Sequence, residues 1–206
     1  MIKPQQYDAV NVGYTPIEPG GHKCQILRMA ERTSQNGNTM LVMEFDTDAS
    51  DTQPNYYKAR YTQDRARNGE TAKWKGVMYI TTSGEYGVAN LKRFVTAVED
   101  SNPGLKAQWD RQPGDGTFVN WMKGKKVGIV FRKEEYEYNG KTGWTVKPMR
   151  CCDFNKALTE TVPEPKTLNK APEAQGYVPS SDPQMAQEGF YQTSQMNLDD
   201  PSLPFN

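Results

Sequence analysis

Thr39-Met40-Leu41-Val42-Met43-Glu44-Phe45-Asp46-Thr47 carries the period-two signature of a β-strand. Leu41, Met43 and Phe45 fall on one face, and Met40, Val42, Glu44 and Asp46 on the other. Upstream, Thr33-Ser34-Gln35-Asn36-Gly37-Asn38 contains an Asn-Gly turn signal, and residues 21–31 form another extended stretch, so 21–47 reads as a hairpin. Further along, residues 125–137 alternate Val127, Ile129 and Phe131 against Lys126, Gly128, Val130 and Arg132. Asn139-Gly140 then predicts a second hairpin, returning over 142–150.

Between the hairpins, residues 55–61 (Asn-Tyr-Tyr-Lys-Ala-Arg-Tyr) read as a strand, with Tyr57, Ala59 and Tyr61 on one face and Tyr56, Lys58 and Arg60 on the other. Residues 62–72 read as a polar loop or turn, and 73–81 as a further strand. Val88, Leu91, Phe94, Val95 and Val98 recur at helical spacing, so the pattern predicts a helix over 85–99, ended by Asn102-Pro103-Gly104. Residues 1–20 are a lead-in punctuated by proline and glycine, and 105–124 show no clear period. Five or six antiparallel strands with one helix before the last pair predict a mainly β chain: an OB-fold-like, partly open antiparallel barrel.

Composition divides the chain. Residues 159–206 hold seven of the fourteen prolines, 2 basic and 7 acidic residues, net −5; the remainder holds 23 basic and 18 acidic, net +5. The expectation is an OB-like domain over 1–158 and a disordered acidic tail over 159–206. A basic body with an acidic tail suits contact with a polyanion, although ordinary solvation of a soluble domain explains the same balance. Cys24, Cys151 and Cys152 are odd in number and lack zinc spacing, so they read as reduced structural thiols. The N-terminus has no apolar signal core, and no apolar run approaches the ~20 residues of a membrane helix. A soluble intracellular protein without membrane contact is expected.

Nothing in the sequence makes a positive case for an enzyme, a metal or a cofactor. His22 is the sole histidine, Asp46, Asp48 and Asp51 lie in a turn-like run, and no phosphate-cradling glycine loop is present. Binding has a positive case. Single strands are held by cations along the phosphates and by aromatic faces under the bases. Two stretches interleave these residue types. The first supplies Tyr56, Lys58, Arg60, Arg65, Arg67, Lys73 and Lys75, running on through Trp74 and Tyr79. The second supplies Arg132, Lys133, Tyr136, Tyr138, Lys141, Trp144, Lys147 and Arg150. The pleat separates aromatics by face, so about half must build the core. Tyr56, Tyr136, Tyr138 and Trp144, with basic or polar neighbours two residues away, are the candidates for stacking.

The C-terminal Asp199-Asp200-Pro201-Ser202-Leu203-Pro204-Phe205-Asn206 places two acids before an apolar hook. It resembles the acidic tip of bacterial and phage single-stranded DNA-binding proteins, although in those proteins Phe is usually the last residue. Thr33-Ser34-x-x-Gly37-Asn38-x-Met40-Leu41 and Leu91-Lys92-Arg93-Phe94-Val95 resemble segments of small phage proteins encoded among replication and recombination genes. The resemblance implies sequence-tolerant binding of single-stranded DNA in phage replication, recombination or repair, in the cytoplasm of the infected bacterial host. It also implies recruitment of replication or recombination proteins through Asp199, Asp200, Leu203, Pro204 and Phe205. A non-enzymatic accessory module that mainly binds protein is the alternative, and a homo-oligomer is compatible with either.

Overall fold

A computed structural model of the protein describes residues 15–35 and 37–168. The N-terminal part of the lead-in, most of the acidic tail and its tip at 199–206 lie outside the described residues.

Five antiparallel strands form one open sheet: β1 (Gly20–Thr33), β2 (Thr39–Thr47), β3 (Val77–Thr81), β4 (Lys126–Tyr138) and β5 (Lys141–Cys152), in the order β3-β2-β1-β4-β5. The protein is mainly β, with the architecture of an OB-like, partly open barrel. Period two drives its closure. Ile26, Leu41, Met43, Phe45, Met78, Ile80, Val127, Ile129 and Phe131 all point inward and are buried. A register shift between Ile26 and Arg28 marks a bulge that bends β1. The two edge strands have no ladder between them, but Met78 on β3 and Cys151 on β5 meet across the seam, Sδ to Sγ 3.9 Å.

Among the described residues three α-helices attach to this sheet: α1 (Tyr56–Asn68), α2 (Gly84–Ser101) and α3 (Thr117–Met122). The main helix, α2, falls between the third and fourth strands as the OB pattern requires, and buries Phe94, Val95, Ala97 and Val98. Asn102 ties its end to β4, donating to the Val98 and Lys126 carbonyls (2.7 and 2.8 Å) and accepting the Lys126 N–H at 3.1 Å.

The expected strand at 55–61 is instead the start of α1, so among the described residues the sheet has five strands, the lower of the expected five or six. The helix is nucleated from a distance. Thr47 Oγ1 accepts the Tyr56 N–H at 2.8 Å, and the Asp46 carboxylate accepts those of Tyr57 and Lys58 at 2.8 and 3.2 Å. These groups satisfy orphan donors that a helix start otherwise leaves bare. The shallow alternation of the tyrosines gives way to i,i+4 packing, with Tyr57 and Tyr61 both turned towards Trp74.

The C-terminal boundary also differs. Residues 159–168, expected within the tail, pack on the body. A 3-10 turn at Ala157–Thr159 buries Ala157 against Gly21 and Gly128. Farther on, Lys166 donates its N–H to the Lys133 carbonyl (2.9 Å) and accepts that of Glu135 (2.8 Å). Pairing of β1 with β4 ends at Gly20 and Phe131, so this segment takes up the same β4 edge where β1 leaves it.

Candidate nucleic-acid interface

Beyond Phe131, β4 and β5 continue as a two-stranded arm, in register from Lys133 with Val146 to Tyr138 with Lys141. Asn139 and Gly140 close it with φ of 50° and 70°, the left-handed pair that the Asn-Gly signal predicts. In an OB-fold the loop between strands 4 and 5 is one of the ligand-contacting parts, together with the face of strands 2 and 3.

Alternation splits the arm's candidates onto two faces. Arg132, Tyr136, Tyr138, Lys141 and Lys147 share one; Lys133 and Trp144 share the other. Tyr136, Tyr138 and Trp144 are 45%, 69% and 45% exposed, as expected of stacking candidates. A Cβ at Gly143 would lie 2.8 Å from Cζ of Tyr136, so the glycine lets that ring lie across the opposing strand. On the opposite face the Lys133 ammonium sits 5.0 Å from the centre of the Trp144 ring.

Several cations of the arm and of its base already have anionic partners. Glu134 meets Arg132 at 2.7 Å and Lys147 at 3.6 Å, and Glu160 meets Arg150 at 2.7 Å. Burial works to raise the Glu134 pKa, but Arg132 and Lys147 prevail and hold it below the usual range.

The first candidate stretch lies elsewhere and in another conformation. Tyr56 is 8% exposed, its hydroxyl accepts the Ile17 N–H at 2.8 Å, and its ring packs edge-on to Tyr57. It belongs to the core and is closed to a base, contrary to the sequence expectation. Lys58, Arg65 and Arg67 are exposed on α1, and Arg60 is half-buried 3.9 Å from Asp64. Lys73 is half-buried and Lys75 exposed in the connection to β3. Trp74 is held by its indole N–H, which donates to the carbonyls of Phe45 and Gly76. So α1 offers cations without stacking surfaces, whereas the arm offers both. Asp199, Asp200, Leu203, Pro204 and Phe205 lie outside the described residues.

The face of β1, β2 and β3 directed away from the core adds residues that the aromatic–basic pattern alone does not single out as contacts. Register places Tyr79 beside Val42, and Val42 beside Ala30, with Arg28 and Arg32 flanking Ala30 along β1. Tyr79 is 42% exposed, and Arg28 forms a forked pair with Glu44 at 2.9 and 3.1 Å. The alternation of 77–81 carries this signal once its inward residues are identified as Met78 and Ile80.

The remaining polar groups of interest are structural. His22 is buried, with Nδ1 2.8 Å from Asp51 and Nε2 3.0 Å from the Glu18 carbonyl. Both partners are acceptors, an arrangement that favours the doubly protonated ring. Burial pulls its pKa down, but Asp51 and the Glu18 carbonyl outweigh burial and leave it raised. Burial likewise pushes the Cys151 and Cys152 thiols up to about 12, which keeps them protonated and unreactive. Burial also raises the Asp46 carboxyl, against the opposing pull of the N–H groups it accepts. No helix among the described residues is long and apolar enough to cross a membrane. No protein-family model matches the chain, and a search of curated proteins finds no significant match.

Proposed function

We propose that the body binds single-stranded DNA without sequence preference, as a non-enzymatic component of phage DNA replication, recombination or repair in the host cytoplasm. The observation that carries this reading is the arm, where Tyr136 and Tyr138 expose their rings on one face with Lys141, Arg132 and Lys147. Residues two apart on a strand stand roughly 7 Å from one another, so successive rings can each take a base while neighbouring cations meet phosphates. The cations of α1 and the β1–β3 face widen the electrostatic footprint. The tip at 199–206 is proposed to recruit replication or recombination proteins, its acids steering and Leu203 and Phe205 inserting.

One observation favours a second reading, an accessory module that binds protein. Glu134 and Glu160 already engage Arg132, Lys147 and Arg150, which lowers the positive charge the arm can offer a phosphate chain. A fluorescence titration with oligo-dT, single- against double-stranded and at two salt concentrations, separates the readings. Single-strand preference with affinity falling at a log–log slope of roughly −0.7 per phosphate neutralised is the expected result. Absence of single-strand binding at low salt would leave the protein-binding module.

A further inference from the structure

The seam between the sheet edges is a groove of about 900 Å³, walled by β3 on one side, β5 on the other, and α2 alongside. Its floor is apolar, with Met78, Ile80 and Phe94 buried. Tyr86, 75% exposed, and Tyr79, 42% exposed, both line it. Lys92 and Arg93 line the same groove, and neither has an ion-pair partner among the described residues, in contrast to the engaged cations of the arm. Tyr86 and Arg93 are seven residues apart, two turns along one side of α2 and roughly 10 Å of rise. Asp100 and Asp153 lie among the other lining residues. Tyr79 belongs both to this groove and to the outward face of β3, so the two surfaces are continuous at that ring.

We propose that the Tyr79–Tyr86 groove is a second contact for the same single strand, which crosses the β3 edge and places bases against these rings while Lys92 and Arg93 meet its phosphates. The proposal rests on the single-strand reading above. Exposed aromatic rings over an apolar floor, beside Lys92 and Arg93 with no ion-pair partner among the described residues, suit nucleobases joined by a polyanion. The occupant this competes with is an extended peptide laid on the free β3 edge, which would draw on backbone pairing and not on exposed rings beside cations.

The test uses the full chain carrying Tyr86→Ala and Arg93→Glu together. Both residues are exposed, so the core is untouched, and circular dichroism and a thermal melt verify the fold. Parent and variant are titrated with oligo-dT of increasing length, and oligonucleotides carrying 4-thiothymidine are photocrosslinked to the parent. For long oligonucleotides the variant should bind about tenfold or more weakly, short ones should bind it like the parent, and crosslinks should map to Tyr79 or to residues 84–93. Equal affinity at every length with no crosslink there, while arm variants still weaken binding, overturns the groove alone and leaves it to a peptide. A parent that binds no single strand overturns both readings.

Discussion

Residues 56–75 and 132–150 have nearly the same texture, tyrosine and tryptophan interleaved with lysine and arginine, and they end in opposite circumstances. The first becomes α1 and its connection to β3, with Tyr56 and Tyr57 buried. The second becomes a projecting β arm whose rings are exposed. Composition does not separate them. What does is the neighbour each meets: Asp46 and Thr47 hold the first N–H groups of α1, whereas the arm extends past the last β1 partner of β4. An aromatic–basic stretch can therefore offer stacking surfaces only where the fold leaves its rings uncovered.

The sharpest way to break this contrast is to truncate one ring of each kind. Tyr57 packs edge-on to Phe45, 5.2 Å between ring centres, so Tyr57→Ala should destabilise the body by about 3–5 kcal/mol. Urea denaturation measures this, and an undiminished midpoint would mean that the α1 rings are dispensable. Next in size, Tyr138→Ala and Trp144→Ala should each weaken oligo-dT binding by about 1–3 kcal/mol with little change in the melting temperature. Because these rings lie on opposite faces of the arm, the larger loss identifies the face the strand follows. If neither variant loses affinity, the arm is idle and the contrast fails on its functional side.

A smaller effect probes the cause. Asp46→Ala removes the acceptor at the α1 start and should cost about 0.5–2 kcal/mol, with a loss of helical ellipticity. Retained helicity at full stability would show that the tyrosine packing alone fixes α1.

Smallest is the pH dependence of the His22–Asp51 pair. The folded pKa of His22 is raised above its ordinary 6.5, so its contribution is fully present below that pH and is lost as pH rises through the folded value. Burial would raise the Asp51 pKa, but His22 and the N–H groups of Gln53 and Lys23 hold it below its ordinary 3.8. Its contribution is present above 3.8 and lost as pH falls through the folded value. From this pair the stability should be greatest between those two ordinary values, and His22→Gln should abolish the decline on the alkaline side. Denaturation midpoints over a pH series provide the check, and an unchanged alkaline limb in the variant would assign the decline to other groups.

Much of the barrel was legible because both hairpins obey local rules: inward residues two apart, and Asn-Gly where the chain reverses. The α2 stripe was legible for the same reason, its period lying wholly within one element. The start of α1 was not, because its capping groups lie about ten residues upstream on another strand. Residues 159–168 were not, because their partners are a bare strand edge and two glycines that only the assembled sheet presents. In the site, the exposure of Tyr136, Tyr138 and Trp144 follows from their polar neighbours. The division of the arm into two faces requires the register, and the placing of Tyr86 and Tyr79 on one groove requires α2 to be seated beside β3.

The ladder that joins Gly20–Gln25 to Lys126–Phe131 also has a kinetic consequence. Each hairpin can form by itself, but uniting them closes a loop of roughly 100 residues, for which the length-dependent entropy is about 4 kcal/mol. Such a non-local step makes for slow folding. During synthesis at about 5–20 residues per second, the β1 edge waits roughly 5–20 s for β4 to emerge. Until then the flank of β1 that β4 will cover stays bare, which is when a chaperone has most to offer a newborn chain.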